Sequence, residues 1–189
     1  WTANGALGRI IGMADLLYQM TAVDVKVQDR IVFRVSTRKR VEYRVWLTRR
    51  LVKGLWGVAI KAFELEPEVA QQNHPPGVKK AVMSMRHQEA VQSGDFSRKH
   101  DTKTVKPPQI EQNHPLLAIS AEIGRTDKDT IRLTFHTAEQ KKVSLNLTSE
   151  MLHAVCHLLQ KATDRAGWDL KLSVGDAGSV VTSSTEQLH

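Results

Sequence analysis

Apolar and polar positions follow the same order twice along the chain. In residues 31–35 and 43–47 every second side chain is apolar, the period of a strand with one buried face. From residue 49 onward, apolar residues recur every three or four positions, the period of an amphipathic helix. Residues 131–135, 143–147 and 149–166 repeat this pattern, and a short apolar run precedes each copy. Each copy therefore predicts three strands followed by one helix.

The two copies align without gaps at a constant offset of 100 residues. Positions 16–62 and 116–162 share nine identities in 47 positions, and the apolar residues keep the same phase. Thr48 and Thr148 stand where the period changes, and each hydroxyl is suited to cap a helix N-terminus. The pattern predicts an α+β protein of two β-β-β-α repeats produced by internal duplication. Each repeat should form an antiparallel sheet covered by one helix, with a pseudo-twofold axis between them.

Composition along the chain predicts the boundaries of these repeats. We assign the first repeat to residues 13–66 and the second to 115–172, where "WDLKL" could add a strand. Residues 67–114 hold five of the six prolines and predict a basic linker or long loop, in which a short helix at 77–94 is left open. Residues 173–189 predict a flexible tail, and residues 1–12 a leader or expression remnant.

The strands of the first repeat have one apolar and one basic face. Six apolar residues should face the helix: Ile31, Phe33, Val35, Tyr43, Val45 and Leu47. The opposite face carries Arg30, Val32, Arg34, Arg44 and Trp46. Ten Lys or Arg lie between residues 25 and 53 against two acidic residues, so most of the net charge belongs to this copy. The second copy keeps Arg132 and Lys142 on its outward face but is otherwise more neutral.

The first helix is amphipathic, which suits either a core helix or one lying on a membrane surface. A helix that covers a sheet is the commoner source of this pattern, and we favour it. The predicted core face carries Leu51, Val52, Leu55, Val58, Ala59, Ala62, Phe63 and Leu65. Trp56 and Ile60 fall at the boundary, where they could contact the second repeat or a partner chain.

Composition narrows the class of protein. The 189 residues are 41% hydrophobic and 25% charged with a net charge of +7, typical of a globular protein and favourable to polyanionic partners. Apolar runs are shorter than the roughly 20 residues of a membrane-spanning helix, so we expect no membrane insertion. The single cysteine, Cys156, suits a reducing compartment and a cytoplasmic location, and its helix position predicts a buried, inert thiol.

Sequence motifs give no support to catalysis, so we expect a protein that is not an enzyme and has no cofactor. The Gly-rich phosphate-binding motifs G-x-x-x-x-G-K-S/T and G-x-G-x-x-G do not occur. His153 and His157 have the i, i+4 spacing of a two-histidine metal site, but zinc requires at least a third ligand. We therefore favour exposed histidines over a metal site.

The end of each repeat resembles a known superfamily of single-strand-binding proteins. In "VSLNLTSEMLHAVCHLLQKA" a strand with alternating apolar residues passes directly into a helix, similar to the end of a PUR repeat. The pattern rests on Leu145, Leu147, Leu152, Val155 and Leu159, over roughly 30 residues per copy. PUR, whirly and PC4-like proteins share this unit. The resemblance implies intertwined repeats or a dimer, with nucleic acid lying across the sheets.

The sequence therefore predicts a non-catalytic nucleic-acid-binding protein, with single-stranded DNA or RNA favoured and a homodimer considered. Binding a single strand requires cations spaced along its phosphates and an aromatic side chain on which a base can stack. The predicted contacts are Arg30, Arg34, Arg38, Lys39, Arg40, Arg44, Trp46, Arg132 and Lys142. The alternative is a protein-interaction or assembly subunit in which Trp46, Trp56 and the linker dock another chain, with Ile60 beside Trp56 at the interface.

Overall fold

The computed structural model describes residues 9–11, 17–71, 74–96, 100–101, 114–126 and 130–175. These form seven strands and three α-helices, so the class is α+β as predicted. The strands are β1 (Arg9–Ile11), β2 (Leu17–Val25), β3 (Arg30–Thr37), β4 (Glu42–Thr48), β5 (Leu116–Arg125), β6 (Ile131–Thr137) and β7 (Lys142–Leu147). The helices are α1 (Arg49–Glu64), α2 (Pro76–Ser93) and α3 (Ser149–Ala166).

The strands belong to one sheet, so the prediction of two separate sheets is wrong. Their order is β1-β7-β6-β5-β4-β3-β2. Two antiparallel blocks, β2-β3-β4 and β5-β6-β7, are joined by a short parallel contact that pairs Val45 with Leu116 and Trp46 with Leu117. The blocks have matching registers: β3 pairs with β4, and β6 with β7, at positions that differ by 100. A common origin by duplication stays a prediction.

This sheet is strongly curved. Strands β3 and β6 are three positions apart, which would separate them by about 14 Å in a flat sheet. The rings of Phe33 and Phe135 nevertheless lie 6.0 Å apart, centroid to centroid. The sheet edges β1 and β2 are also joined through only five residues, 12–16. The apolar faces of the two blocks therefore turn toward each other and share one core.

The helices cross between the halves instead of covering their own strands. Helix α1 packs mainly on β5, the first strand of the second half, and α3 packs mainly on β2. Arg165 of α3 donates a 3.0 Å hydrogen bond to the carbonyl of Ala22 in β2, and Arg125 of β5 donates one of 3.1 Å to that of Leu65 beyond α1. The two halves are therefore interdependent, which corrects the prediction that each helix covers its own sheet.

The predicted caps and the inward strand positions are confirmed. All six inward residues of β3 and β4 are at most 2% exposed. Thr48 accepts a hydrogen bond from the backbone N–H of Leu51, and Thr148 from that of Met151. Gly167 ends α3 at a positive φ of 67°, a conformation that glycine adopts without strain. The helix caps and strand faces that the local sequence favours are therefore the ones that the folded chain uses.

Helix α1 is rotated relative to the predicted core face. Val52, Leu55, Ala59 and Phe63 are buried as expected. Val58 and Leu65 were assigned to the core but are 36% and 66% exposed, whereas Trp56 is buried at 8% exposure. The crossing of α1 onto β5 explains the rotation, because its partner surface is not the strand that precedes it.

Part of the predicted linker is helical. Helix α2 covers the segment in which a short helix was left open, and Pro76 occupies its first turn, where a missing N–H costs nothing. Met83 and Ala90 are its buried residues, and it packs on α3. Residues 72–73, 97–99 and 102–113 of the linker lie outside the described residues. In the predicted leader, Arg9–Ile11 pairs with β7 as β1, and residues 1–8 and 12 lie outside the described residues.

The chain after α3 forms no extra strand over residues 168–172. Asp169 and Lys171 have positive φ values of 49° and 47°, which break an extended run. The segment packs instead: Gln160 donates a 2.7 Å hydrogen bond to the carbonyl of Leu172. Gly175 closely approaches α2, and most of the predicted tail, 176–189, lies outside the described residues. None of the described helices is long and apolar enough to cross a membrane.

Candidate nucleic-acid interface

The convex face of β3 and β4 brings together the basic residues predicted for the first repeat. Strand pairing places Arg34 directly opposite Arg44, and Val32 opposite Trp46 one step along the same face. Arg30 pairs with Thr48 at the far end. Neighbouring positions on one face of a strand are two residues apart. The facing arginines, then Trp46 and then Arg30 therefore follow one another along the strands. We call Arg30, Arg34, Arg44 and Trp46 the basic face.

Two arginines of the basic face stand directly opposite one another on neighbouring strands. Like charges directly opposite one another on neighbouring strands repel. The Nε atom of Arg34 is buried and has no hydrogen-bond partner. Glu42 lies 3.9 Å from the Nε atom of Arg44 and also contacts His100, so one carboxylate is shared between two groups. An anion on this face would relieve the repulsion between the two guanidinium groups.

Trp46 lies half-buried on this face. Its cross-strand neighbour Val32 is only 2% exposed although it points away from the core. Trp46 also pairs with Leu117 at the junction between the two halves of the sheet. The strands therefore support the indole while part of its surface remains open to solvent, which is the arrangement a stacking platform requires.

The hairpin turn at residues 38–40 continues the basic face. Arg38 and Lys39 are exposed. Arg40 adopts a left-handed φ of 60°, pairs with Asp101 at 2.7 Å and lies 5.5 Å above the ring of Tyr18. Residues 100–101 of the linker therefore contact this end of the face through acidic and histidine side chains, a contact that the sequence did not indicate.

Equivalent positions in the second half are neutral. Thr134 and Ser144 occupy the places of the two facing arginines, and their hydroxyl groups are hydrogen-bonded at 3.0 Å. Asn146 replaces the tryptophan and accepts a 3.2 Å hydrogen bond from Arg132. Lys142 is exposed at the edge of this face. The predicted cations of the second repeat are therefore separate from the basic face and lack its aromatic neighbour.

Trp56 is part of the chain's own core. Its indole N–H donates a 3.1 Å hydrogen bond to the carbonyl of Ser173, beyond α3, and Ile60 packs partly buried against the core. Trp56 thus contacts the chain directly after the second repeat. Binding of a partner chain by Trp56 and Ile60 stays a prediction.

A buried polar cluster joins the three helices. Glu66, 2% exposed, lies 3.6 Å from His153 and 3.3 Å from Arg86 of α2, and it accepts a hydrogen bond from Ser149. Burial opposes ionisation of Glu66, but the nearby imidazole of His153, the hydrogen bond from Ser149 and the charge of Arg86 lower its pKa below the usual value. This cluster ties α2 to the rest of the fold.

His153 is buried, which corrects the prediction of an exposed histidine. Its exposure is 1% because α2 covers this side of α3, and its ring stacks on Phe63 at 3.8 Å. Its Nδ1 lies 3.2 Å from Nδ1 of His87. Burial and the charges of His153 and His157 lower the pKa of His87 to about 4. The described residues contain no group of three or more potential ligands arranged to hold a metal ion.

Cys156 is buried at 2% exposure, as predicted. Burial raises the pKa of its thiol to about 12. Because the thiolate is the reactive form, this cysteine is inert at neutral pH.

No protein-family model, curated protein or solved structure matches this chain. The functional argument therefore rests on the geometry of the basic face.

Proposed function

We propose that this protein binds nucleic acid without catalysing a reaction, and that its ligand is single-stranded. The observation that carries the proposal is the facing pair Arg34 and Arg44 beside the half-buried Trp46. Like-charge pairs weaken a sheet, and an incoming phosphate would convert the repulsion into two favourable contacts. The neutral pair Thr134 and Ser144 at the equivalent register argues that strand pairing itself does not require arginine there.

The single-stranded preference follows from the spacing of cations and aromatic surface. A base can stack on an exposed indole only when it is not paired and stacked within a duplex. The β3 strand spans about 23 Å along its eight residues, with the exposed turn at one end and Arg30 at the other. A single strand lying along β3 and β4 would meet cations at several phosphates and Trp46 near the middle.

A titration at two salt concentrations tests this proposal. We expect a fluorescein-labelled single-stranded oligonucleotide to bind more tightly than the matching duplex, with affinity falling steeply as salt rises. Trp46→Ala should weaken binding by about 1–3 kcal/mol, roughly five- to 150-fold in Kd, because a stacking platform is lost. Arg34→Gln with Arg44→Gln should reduce the salt dependence.

A matched control changes charge on the opposite side of the fold. Lys53 and Lys61 are exposed on α1, which packs on the concave side of the sheet. Lys53→Gln with Lys61→Gln therefore removes the same charge without touching the basic face. Equal losses in the two double variants would show that binding responds to net charge alone, and absence of binding at low salt would refute the function.

The alternative is an assembly subunit that docks another chain through Trp46, Trp56 and the linker, with Ile60 beside Trp56. The half-buried Trp46 would serve either function, so the difference lies at Trp56. Trp56 is 8% exposed and hydrogen-bonded within the chain.

A further inference from the structure

Two grooves occupy equivalent places in the two halves of the fold. The first lies between α3 and β2, where residues 18–21 face Ala154 and Leu158. The second lies between α1 and β5, where residues 118–121 face Gly54 and Val58. All these positions correspond at the offset of 100 residues. Each groove follows from the crossing of the helices, because each is built from a strand of one half and a helix of the other.

A segment of the chain itself forms a third wall of the first groove. Residues 94–96 and Asp101 line it together with the strand and the helix. The ring of Phe96 lies 4.7 Å from that of His157 on α3. The backbone N–H of Asp101 donates a 3.0 Å hydrogen bond to the side-chain oxygen of Gln19 on β2. Two aspartates and the aromatic ring of Phe96 therefore line this groove from a segment outside the strand and the helix.

The second groove has no such wall among the residues that the structure describes. It measures about 400 Å³ and is lined only by α1, the Thr48 cap and β5. Ile119 and Val58 are 55% and 36% exposed along it. Strand β4 pairs with β5 only at Leu116 and Leu117, so in the described chain the following residues of β5 have no strand partner on this side.

Differences between the grooves indicate what the second one accepts. Ile119 stands where Gln19 anchors the segment of the first groove, and Gly57 stands where His157 contacts Phe96. A Cβ atom added at Gly54 or Gly57 would meet no atom within 4 Å. The second groove is thus more apolar and has more room beside the helix. Arg50 is the charged residue of its lining.

We infer that the groove between α1 and β5 binds an extended segment of another protein, with an aromatic side chain over Gly54 and Gly57 and an acidic residue beside Arg50. The extended form follows from the unpaired side of β5, where main-chain hydrogen bonds can add a strand. The aromatic and acidic requirements follow from the segment in the equivalent groove and from the charge of Arg50. This inference is independent of nucleic-acid binding.

A peptide copied from the first groove's own segment is the probe. We would titrate the full chain, with methyl groups isotopically labelled, with the capped peptide SGDFSRKHD of residues 93–101. We expect saturable shifts of the Ile119 and Val58 methyl signals with a Kd below about 1 mM. A peptide with Ala in place of Phe96 should bind at least about tenfold more weakly, since the ring is the anchor.

Two matched substitutions assign the binding to one groove. Gly54→Leu fills the second groove and should weaken binding at least about tenfold. Its fold should be retained, because no atom lies within 4 Å of the new Cβ and Leu favours helix more than Gly does. Ala154→Leu alters the equivalent position of the first groove and should leave the Kd within about twofold.

Three results would overturn the inference: no saturable shift at Ile119, an unchanged Kd in Gly54→Leu, or shifts confined to the first groove. An unchanged peptide Kd in Arg34→Gln with Arg44→Gln is expected, since these residues lie on the convex face. That result separates the groove from the proposed nucleic-acid site.

Discussion

Replacing the facing arginines with the residues of the second half should weaken nucleic-acid binding and reduce its salt dependence while preserving stability. The variant Arg34→Thr with Arg44→Ser recreates on β3 and β4 the pair that β6 and β7 contain. That pair, Thr134 and Ser144, is hydrogen-bonded at 3.0 Å in the same register. The substitution is therefore compatible with a strand pairing that the fold already uses.

The expected change in unfolding free energy is small because its contributions oppose one another. Removing a like-charge pair gains about 0.2–1 kcal/mol, and a new hydroxyl hydrogen bond gains about 0.5–1.5 kcal/mol. Against this, both arginines lose partly buried methylene groups, at about 0.8 kcal/mol for each one fully buried. We expect the variant to remain within about 1 kcal/mol of the parent in urea unfolding.

The expected change in binding is large and depends on salt. Each phosphate contact contributes about −0.7 to the slope of log K against log salt for a single strand, so losing two contacts lowers its magnitude by about 1.4. Between 50 and 200 mM salt, the parent should lose roughly sevenfold more affinity than the variant. Fluorescence anisotropy with a labelled single strand measures both slopes.

The reciprocal exchange provides the refuting experiment. Thr134→Arg with Ser144→Arg installs the like-charge pair and removes the 3.0 Å hydrogen bond, so stability should fall by about 1–2 kcal/mol. The salt slope should steepen if a phosphate engages the new pair. An unchanged slope in the Arg34 and Arg44 variant, or a stability loss well beyond 1 kcal/mol, would show that this pair has a structural role.

Three further predictions concern the surroundings of Gly175, Gly54 and His87. Gly175→Ala should destabilise the protein by about 2 kcal/mol or more in urea unfolding, because Gly175 has a φ of 67° and its Cβ would lie 2.3 Å from a carbonyl oxygen of α2. Gly54→Ala should instead stabilise the protein by about 0.5–1 kcal/mol, because no atom lies within 4 Å of the added Cβ. A greater stability of the Gly175 variant than of the Gly54 variant would contradict both expectations. Burial and the charges of His153 and His157 lower the pKa of His87 to about 4, so from pH 6.5 down to pH 4 the unfolded chain binds a proton that the folded protein does not. Stability should therefore fall from pH 7 to pH 5, and His87→Gln should reduce that loss; an equal loss in both proteins would refute it.

The crossing of the helices has consequences for folding. Each half of the core is completed by a helix that belongs to the other half in the chain. A segment containing only β2, β3, β4 and α1 would leave the apolar side of α1 without β5. We therefore regard the two repeats as one folding unit, although their local patterns read as separate modules.

The basic face was predictable because strand periodicity assigns alternate residues to opposite sides. Arg34, Arg44 and Trp46 share a face in any strand pairing that buries Phe33 and Val45. That Arg34 stands directly opposite Arg44 depends on the hairpin register, which residue types alone do not specify. The contact of Asp101 with Arg40 is also tertiary, since the residues are 61 positions apart.

The buried cluster around Glu66 was not predictable from local pattern. Glu66 follows α1 by two residues and reads as a solvated helix end, whereas Arg86 and His153 come from α2 and α3. Charged residues are buried only when distant partners compensate the loss of water, and those partners have no signature in sequence spacing.

The sequence alone determined the two strand-rich blocks and their following helices, where α1 and α3 begin, and which side of β3, β4, β6 and β7 is apolar. These properties depend on local periodicity and on capping side chains such as Thr48 and Thr148. Only the tertiary structure decided that the strands make one curved sheet and that each helix crosses to the other half. Both halves present similar apolar faces, so periodicity does not specify which helix packs on which strands. The curvature of the sheet, which brings Phe33 against Phe135, decides that packing.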